Sequence, residues 1–444
     1  MAHLTFKKGV HPPSHKSFTE RRPIERMPVG DALSVPLTQH LGVPATPVVR
    51  KGDRVEVGDL LGDASKLISA RIHSPAAGTV KRIVDQPLPG GKLAQYVEIT
   101  VDREATEQHT FSETDVDLGA ITREQILETM RTAGVVGMGG ATFPTDVKFS
   151  PMPDKSFDVL VINGAECEPY LTCDHRVMVE ETEALMDGCR LLHKTYGFKA
   201  IYIAIEANKP DAINAFEDVV AVYSDLPIKV ASLTTKYPQG AEKTLIRTVT
   251  GRIIPTGKLP LDVGAVVCNV QTLFAIYEAV HFGKPVIERV VTVSGAGIES
   301  PKNIRAMIGT PLDRLVEYCG GITESVNKVV AGGPMTGMAL PTLDYSVSKG
   351  SSGFLFLTNA DVEIESPCIK CGRCVAVCPM NLMPLKLAAF SRAGRFSEAQ
   401  RLAVNSCFEC GSCSFVCPAK INIVAYVRHA KHHIRVHGSR EDKR

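Results

Sequence analysis

Two copies of one cysteine motif near the C-terminus constrain this chain more than any other feature. The first copy reads CIKCGRCVAVCP and the second CFECGSCSFVCP, so both follow the spacing C-x2-C-x2-C-x3-C-P. Three thiolates around so tight a turn can hold three corners of a [4Fe-4S] cubane. The pattern therefore predicts two clusters with eight ligands: Cys368, Cys371, Cys374, Cys378, Cys407, Cys410, Cys413 and Cys417.

The fourth cysteine of each copy should bind the cluster of the other copy. It leaves on the helix that follows the turn and therefore points away from its own triad. Cys378 is expected to join the triad that starts at Cys407, and Cys417 the triad that starts at Cys368. The predicted clusters are thus interleaved.

Zinc and disulfides are the alternatives for these cysteines. A zinc ribbon uses paired C-x2-C knuckles with four ligands per site, so the third and fourth cysteines of each copy would be surplus. Disulfide frameworks are typical of small secreted domains, whereas this chain has 444 residues and shows no signal segment at its start. The pattern favours one-electron chemistry in a reducing compartment, so we expect a cytosolic location.

The length, net charge and hydropathy of the chain limit the number of domains and the kinds of partner. A chain of 444 residues is expected to form about three or four domains. The formal net charge of +2, with both signs mixed throughout, argues against nucleic-acid binding. No stretch reaches the roughly 18 apolar residues that a membrane-spanning helix needs.

Residues 1–110 are predicted to form a β domain. Short apolar runs alternate with Gly-Asp turns in VRKGDRVEVGDLLGDA and ARIHSPAAGTVKRI. The rhythm resembles the barrel-sandwich hybrid of biotinyl and lipoyl carriers. Lys66 lies in ASKLIS without the residues that flank a modified lysine in those carriers. We therefore expect a docking domain in which Lys66 is a solvated turn residue without a covalent carrier.

Residues 111–285 are predicted to form an α/β domain that begins with a helix and a glycine-rich loop. The helix pattern ITREQILETMRTAGVV leads into GVVGMGGATFPTDVKFS, with glycines at 134, 137, 139 and 140. Such a loop is either a tight turn or a place where backbone N–H groups contact an anion. It matches neither GxGxxG after a strand nor the P-loop. Lys148, eight residues after the last glycine, is a candidate partner for a phosphate.

Polar residues follow two predicted strands of this domain. Asn163, Glu166 and Glu168 come after the apolar run at 159–162, and Asn269 and Thr272 come after another strand. Alternating strands and helices predict a parallel sheet, which binds ligands at the carboxyl ends of its strands. Each residue alone could be a cap or turn residue. Together with the glycine loop they form a candidate site.

The rest of the chain is predicted to form two further units. Residues 286–355 have the strands and the helix near 312–319 that are typical of a β-grasp module. Residues 356–444 should form a helical, ferredoxin-like domain around the two clusters. Its basic tail, AYVRHAKHHIRVHGSREDKR, is expected to be solvated and partly disordered, and the alternative is a contact with a partner or an acidic lipid surface. The predicted fold class is therefore a multidomain α/β protein of four parts.

These segments, in this order, resemble the RnfC subunit of the Rnf electron-transport complex. KKGVHPPSHK, MPVGDALSVPLTQHLGVPATPVVRKGD and HSPAAGTV are similar to the N-terminal domain of that subunit. GVVGMGGATFPTDVKFS, INGAECEPYLTCDHR and VCNVQT resemble the FMN and NADH segments of the 51 kDa flavoprotein subunit of respiratory complex I. The unit at 286–355 resembles the soluble-ligand-binding β-grasp module that follows in both families.

The resemblance implies an electron path with three cofactors: NAD(H), FMN and the two [4Fe-4S] clusters. Glu166 and Glu168 would face the nicotinamide and are the candidate catalytic residues. Gly137, Gly139 and Gly140 would lie against flavin and nucleotide. The residues that would hold FMN are Lys148, Asn163 and Asn269, and Thr272 is a further cofactor-binding candidate. A flavin is required between a hydride donor and one-electron clusters.

The implied function is ferredoxin–NAD electron exchange in a membrane complex that translocates ions. The protein would lie on the cytoplasmic face of the inner membrane, attached through other subunits, with a ferredoxin-like carrier as a further partner. Two alternatives stay open. One is a related flavin and iron–sulfur reductase that serves cobalamin. The other is a cluster-only wiring subunit, since Ala165 and Cys268 replace an acidic residue and an asparagine of the complex I segments.

Overall fold

The structure is a computed structural model. It describes residues 3–114, 116–117, 120–150, 152, 154–360 and 363–438. Four units are recognisable along the chain, and they pack against one another.

The first unit is a β domain of two small antiparallel sheets. The strand β1 (Ile24–Arg26) precedes this unit, whose strands and helix are β2 (Ala32–Pro36), β3 (Thr46–Pro47), β4 (Arg54–Val55), β5 (Leu60–Asp63), β6 (Ile72–His73), β7 (Gly78–Pro87), β8 (Leu93–Val101) and α1 (Arg103–Gln108). One sheet has the order β2-β8-β7-β4 and the other β3-β5-β6. Val97 and Ile99, two residues apart on β8, are buried. Lys66 lies between β5 and β6 and is exposed, as predicted.

The second unit is the predicted α/β domain with an all-parallel sheet. Its elements are α2 (Arg123–Thr132), α3 (Thr145–Phe149), β9 (Val159–Gly164), α4 (Cys173–Glu180), α5 (Thr182–Tyr196), β10 (Ala200–Glu206), α6 (Pro210–Val220), β11 (Ile228–Leu233), α7 (Glu242–Thr250), β12 (Ala265–Asn269) and α8 (Val270–Phe282). The strand order is β11-β10-β9-β12. The apolar run at 159–162 is buried because helices cover both faces of the sheet.

The third unit is built on a mixed sheet. Its elements are β13 (Glu288–Ser294), β14 (Lys302–Met307), α9 (Leu312–Tyr318), β15 (Lys328–Ala331), β16 (Met338–Leu340) and β17 (Gly353–Leu357). The sheet has the order β1-β14-β13-β17-β15-β16. The first strand of the chain is therefore its edge strand, paired in parallel with β14.

Residues 3–22 run over the other units instead of joining the β domain that follows them. The Leu4 N–H donates to the carbonyl of Ser232 on β11 at 2.9 Å, and the Gly9 N–H donates to the Val377 carbonyl at 3.0 Å. The sequence-based boundary at residue 110 groups this segment with the β domain. Its prolines and lack of strand alternation leave its backbone groups to find partners in the α/β domain and the C-terminal unit.

The fourth unit is helical. Its helices are α10 (Arg373–Val377), α11 (Pro384–Arg392), α12 (Phe396–Arg401), α13 (Ser412–Phe415) and α14 (Ile423–His437). The start of the predicted disordered tail is part of α14, where His433 stacks on Phe396 with ring centroids 3.8 Å apart. Residues 439–444 of that tail lie outside the described residues. In the described part of the chain, no helix is long and apolar enough to cross a membrane.

Candidate functional site

Two of the predicted asparagines lie side by side at the carboxyl edge of the parallel sheet. Asn163 on β9 is in register with Asn269 on β12. The Asn269 side chain caps α8 by accepting from the N–H groups of Gln271 and Thr272. This is the edge at which parallel sheets bind ligands, and both strands deliver an amide to it.

The glycine-rich loop lies directly against Asn269 and the start of α8. The Met138 N–H donates to the Thr272 hydroxyl at 2.8 Å, and the Gly137 N–H closes the loop on the Phe143 carbonyl at 2.9 Å. A Cβ atom at Gly139 would stand 2.7 Å from the Asn269 amide nitrogen, so only glycine fits there. The structure therefore brings Gly137, Gly139, Asn163, Asn269 and Thr272 together.

The loop is suited to a phosphate-bearing ligand. Among the described residues, no hydrogen-bond acceptor is in reach of the Gly139 or Gly140 N–H groups. A Cβ atom at Gly140 would meet nothing within 4 Å, so the loop is open on that side. Free N–H groups beside a helix N-terminus favour an anion. The site thus fits FMN through its backbone more than through its side chains.

The side chains of the two asparagines are already engaged within the protein. The Asn163 amide donates to the Gly240 carbonyl at 2.9 Å, and the Asn269 amide donates to Asp174 at 2.7 Å. These bonds fix the shape of the sheet edge. They leave little hydrogen-bonding capacity for a ligand.

Lys148 on α3 is paired with a residue that the sequence analysis did not select. Its Nζ lies 2.6 Å from the carboxylate of Glu242, the first residue of α7. Burial raises the pKa of the neighbouring Cys268 thiol to about 12, and the positive charge of Lys148 acts against that shift. Lys148 therefore lies close to Cys268, the residue of β12 that precedes Asn269. Glu242 lies far from the predicted segments in sequence and has no motif of its own.

The Glu166 carboxylate is turned toward the start of α4. It accepts from the backbone N–H groups of Asp174 and His175, and it lies 3.8 Å from the Lys16 ammonium. The possible metal-ligand atoms of three side chains, Glu166, Cys173 and Asp174, all lie within 4.8 Å of one another. Burial, with the neighbouring Glu166 charge, raises the pKa of Asp174 to about 6.

The Glu168 carboxylate is turned toward the third unit. It accepts from the Met335 N–H at 3.0 Å and from the Thr336 hydroxyl at 2.5 Å. Burial raises its pKa, and the hydrogen bonds from Thr336 and Met335 oppose that shift. In this structure Glu168 anchors the loop at 333–336.

Lys16 is a site residue that the sequence analysis missed. Its buried ammonium donates to the carbonyls of Glu166, Glu168 and Leu171, and so it holds the loop on which both candidate carboxylates lie. His15 stacks on Tyr170 with ring centroids 4.6 Å apart. A single lysine in a Pro-rich segment gives no local signal, because its role depends on a contact across 150 residues.

The eight motif cysteines line two cavities, each with four thiols. The first cavity, of about 430 Å³, is lined by Cys368, Cys371, Cys374 and Cys417. The second, of about 20 Å³, is lined by Cys378, Cys407, Cys410 and Cys413. In each cavity, a triad from one motif meets the fourth cysteine of the other motif. Four thiols are the ligand set of a [4Fe-4S] cluster.

The two motifs have the same backbone conformation. Lys370 and Glu409 occupy equivalent positions with φ of +57° and +62°, and Gly372 and Gly411 follow with +75° and +81°. Left-handed residues at these positions curl each turn around its cavity. The Glu409 N–H donates to the Cys407 sulfur at 3.3 Å.

Burial sets the electrostatics of the second cavity. It raises the pKa of Cys407 to about 11 and that of Cys413 to about 12, so these thiols are neutral without a metal. A cluster would bind them as thiolates, so its assembly releases protons.

The second cavity adjoins the rest of the protein, whereas the first opens to the surface. A Cβ atom at Gly411 would lie 2.5 Å from the Met335 carbonyl, in the loop that Glu168 anchors. Burial raises the pKa of Tyr237, and the nearby Glu168 and Cys410 add to the shift. Cys368 and Cys371, in contrast, are exposed. The second cavity thus lies beside the loop at 333–336, and the first lies at the surface.

The fold and the site together define a class of protein. A parallel sheet with an anion-binding glycine loop is joined, through a mixed-sheet unit, to a domain that presents two sets of four thiols. This is the architecture of an electron-transfer protein that combines a flavin domain with iron–sulfur clusters.

Four family models match consecutive parts of the chain. They are the RnfC barrel sandwich hybrid domain at residues 4–104, the Nuo51 FMN-binding domain at 130–278, the SLBB domain at 290–339 and the 4Fe-4S dicluster domain at 367–421. These matches confirm the predicted flavin and iron–sulfur domains.

Three relatives cover nearly all of the chain. The C subunit of the proton-translocating ferredoxin:NAD(+) oxidoreductase complex of Clostridium ljungdahlii is 45% identical over 98% of this chain and 95% of that protein. The Na(+)-translocating counterpart of Acetobacterium woodii is 41% identical, with 97% of both chains covered. The C subunit of the ion-translocating oxidoreductase complex of Rhodobacter capsulatus is 38% identical over 90% of this chain and 78% of that protein. The chain therefore belongs to the RnfC family of the ion-translocating oxidoreductase complexes, as the sequence predicted.

A likeness to a solved structure agrees with this fold. One chain of an NAD+-reducing [NiFe]-hydrogenase aligns with a TM-score of 0.50 at 18% identity, over 72% of this chain and 62% of that one. At this identity the likeness concerns the fold alone.

Proposed function

We propose that this chain exchanges electrons between NAD(H) and a protein partner by means of FMN at the glycine loop and two interleaved [4Fe-4S] clusters. The observation that carries the proposal is the pair of four-thiol cavities, one against the loop at 333–336 of the mixed-sheet unit and one at the surface. FMN, when bound, supplies the step between hydride transfer and the one-electron clusters.

The loop would hold FMN through the N–H groups of Gly139 and Gly140, with Lys148 as a cation for its phosphate. Asn163, Asn269 and Thr272 would act by fixing the loop and the sheet edge, because their side chains are engaged by the protein. Lys148 would give up its ion pair with Glu242 and form one with the phosphate. The Lys148–Glu242 pair is half-buried and is a single ion pair, so its loss is offset by the new pair with a dianionic phosphate.

Glu166 and Glu168 would shape the nicotinamide side of the site. Their carboxylates are held by α4 and by the loop at 333–336, so the backbone between them faces the sheet edge in a fixed conformation. Lys16 supports that conformation. We assign these residues to the positioning of the nucleotide.

The four thiols that include Cys410 would hold the cluster nearer to the flavin, and the four that include Cys368 would hold the cluster that meets the partner. The contact of Gly411 with the loop at 333–336 supports the first assignment, and the exposure of Cys368 and Cys371 supports the second. The partner is then a ferredoxin-like carrier or a cluster-bearing subunit. We place the chain at the cytoplasmic face of the inner membrane, attached through other subunits of the complex.

Lys148→Ala should weaken FMN binding by about one to two decades. A charge-assisted hydrogen bond contributes ~1.5 to 3 kcal/mol, and ~1.4 kcal/mol is tenfold in affinity. The measurement is the Kd for FMN of the iron-loaded chain, followed by quenching of flavin fluorescence.

Lys155→Ala is the matched control, because Lys155 also forms a 2.6 Å ion pair, with Asp262, and is no predicted FMN ligand. Equal FMN affinity in the two variants would show that Lys148 is a surface lysine. A chain that binds iron but no FMN would instead favour the cluster-only wiring subunit.

A further inference from the structure

We infer that two buried cations of the mixed-sheet unit, Lys349 and Arg289, act from behind the glycine loop to orient its backbone and to favour a phosphate-bearing flavin over an uncharged one. The inference rests on the proposed FMN site. It assigns a role in ligand selection to residues outside the predicted site.

Lys349 joins three units at the start of the loop. Its ammonium is 0% exposed and donates to the Gly134 carbonyl and the Arg71 carbonyl, both at 2.6 Å. The next residue, Gly350, touches the far end of the loop, where an added Cβ atom would lie 2.8 Å from the Thr142 methyl group. Residues 349 and 350 therefore support the loop at both ends.

Arg289 supports the middle of the loop. Its guanidinium, on β13, donates to the Met138 carbonyl at 3.4 Å and to the Lys349 carbonyl at 2.5 Å. In a trans peptide the carbonyl and the following N–H point in opposite directions. A Met138 carbonyl that faces Arg289 therefore turns the Gly139 N–H away from Arg289. The arginine thus orients an N–H group that an anion would use.

The charges around Lys349 leave it uncompensated. In the described part of the chain, no carboxylate lies within 4.0 Å of its ammonium. The titratable side chains that interact with it are His40 and His73, and the Arg71 side chain, which acts on His73, is itself paired with Asp63. Arg289, in contrast, faces Asp174 and Cys173. Burial lowers the pKa of Lys349 to about 7.

A buried cation without a partner is costly, and an anion on the other side of the loop would offset that cost. Coulombic attraction across a water-free backbone layer is screened far less than at the surface. Riboflavin has the same ring system as FMN but no phosphate. The charge of Lys349 should therefore raise the affinity for FMN and leave the affinity for riboflavin unchanged.

The test compares the Kd values of FMN and riboflavin for wild type and Lys349→Met, both loaded with iron, at one pH just below 7, where Lys349 carries its charge and the FMN phosphate is mostly a dianion. We expect the variant to lose about tenfold in FMN affinity and to keep its riboflavin affinity. Lys328→Met, which removes one positive charge from the same sheet, is the control and should change neither value. Equal losses for both flavins, or no loss for FMN, would overturn the inference.

A wild-type measurement covers the case in which Lys349→Met does not fold. Between pH 7 and pH 9 the FMN phosphate stays a dianion, because its second pKa is about 6. Deprotonation of Lys349 over this range should lower the FMN affinity relative to riboflavin, and a constant ratio would contradict the inference. If wild type bound neither flavin, the proposed FMN site itself would fail.

Discussion

Replacing Cys378 with serine should destroy the cluster whose other three ligands come from the second motif, and should leave the cluster of its own motif intact. Cys378 lines the cavity of Cys407, Cys410 and Cys413. Loss of one of four thiolates removes a ligand that serine replaces poorly, so about half of the bound iron should be lost. Iron content and the electron paramagnetic resonance of the reduced chain measure the effect.

Cys417→Ser is the matched control, because Cys417 is the equivalent residue of the other motif. It should remove the cluster held by Cys368, Cys371 and Cys374, so the two variants should lose different resonances. The opposite result would be that Cys378→Ser removes the cluster of the Cys368 triad and Cys417→Ser that of the Cys407 triad. Each motif would then hold its own cluster, and the proposed electron path would be wrong.

Gly411→Ala should slow NADH-driven reduction of the clusters by about tenfold or more, while Gly372→Ala leaves it nearly unchanged. The two glycines are equivalent in the two motifs and both have positive φ, so alanine costs a similar backbone strain at each. Only Gly411 meets another unit, since its added Cβ atom would lie 2.5 Å from the Met335 carbonyl. Alanine there must push the cluster domain away from the loop at 333–336.

Stopped-flow mixing with NADH measures this effect, and full reduction by dithionite shows that both variants retain their clusters. Equal rates for the two variants would mean that electrons do not enter the cluster domain next to Gly411. The exposed cluster of the first motif would then be the one that faces the flavin.

The sequence predicted the cluster domain well because its chemistry is local. The spacing C-x2-C-x2-C-x3-C-P determines where a triad and its outgoing cysteine can lie, so the motif specifies ligands without knowledge of the rest of the fold. The parallel sheet was also predictable, since its buried strands are continuous apolar runs that end in Asn163 and Asn269.

The sequence could not predict contacts that depend on distant packing. Lys16, Arg289 and Lys349 are single charged residues without a motif, and each reaches the site from another unit. The path of residues 3–22 over the α/β domain could not be predicted for the same reason. Its partners lie more than 200 residues away, at Ser232 and Val377.

The directions of the two candidate carboxylates also depended on packing. The resemblance implied that Glu166 and Glu168 face the nicotinamide. In the structure, the first is held by the N-terminus of α4 and the second by the loop at 333–336. The partner of Glu166 begins eight residues further along the same segment, whereas the partner of Glu168 lies 167 residues away, so only the assembled units reveal how Glu168 is engaged.

The proposed electron path is tested most directly by an anaerobic titration with NADH of the chain loaded with iron, sulfide and FMN. We expect NADH to bleach the flavin absorption and then to reduce both clusters, which give two paramagnetic species. A chain that holds FMN and both clusters, is reduced fully by dithionite and stays oxidised with excess NADH would contradict the proposed electron path.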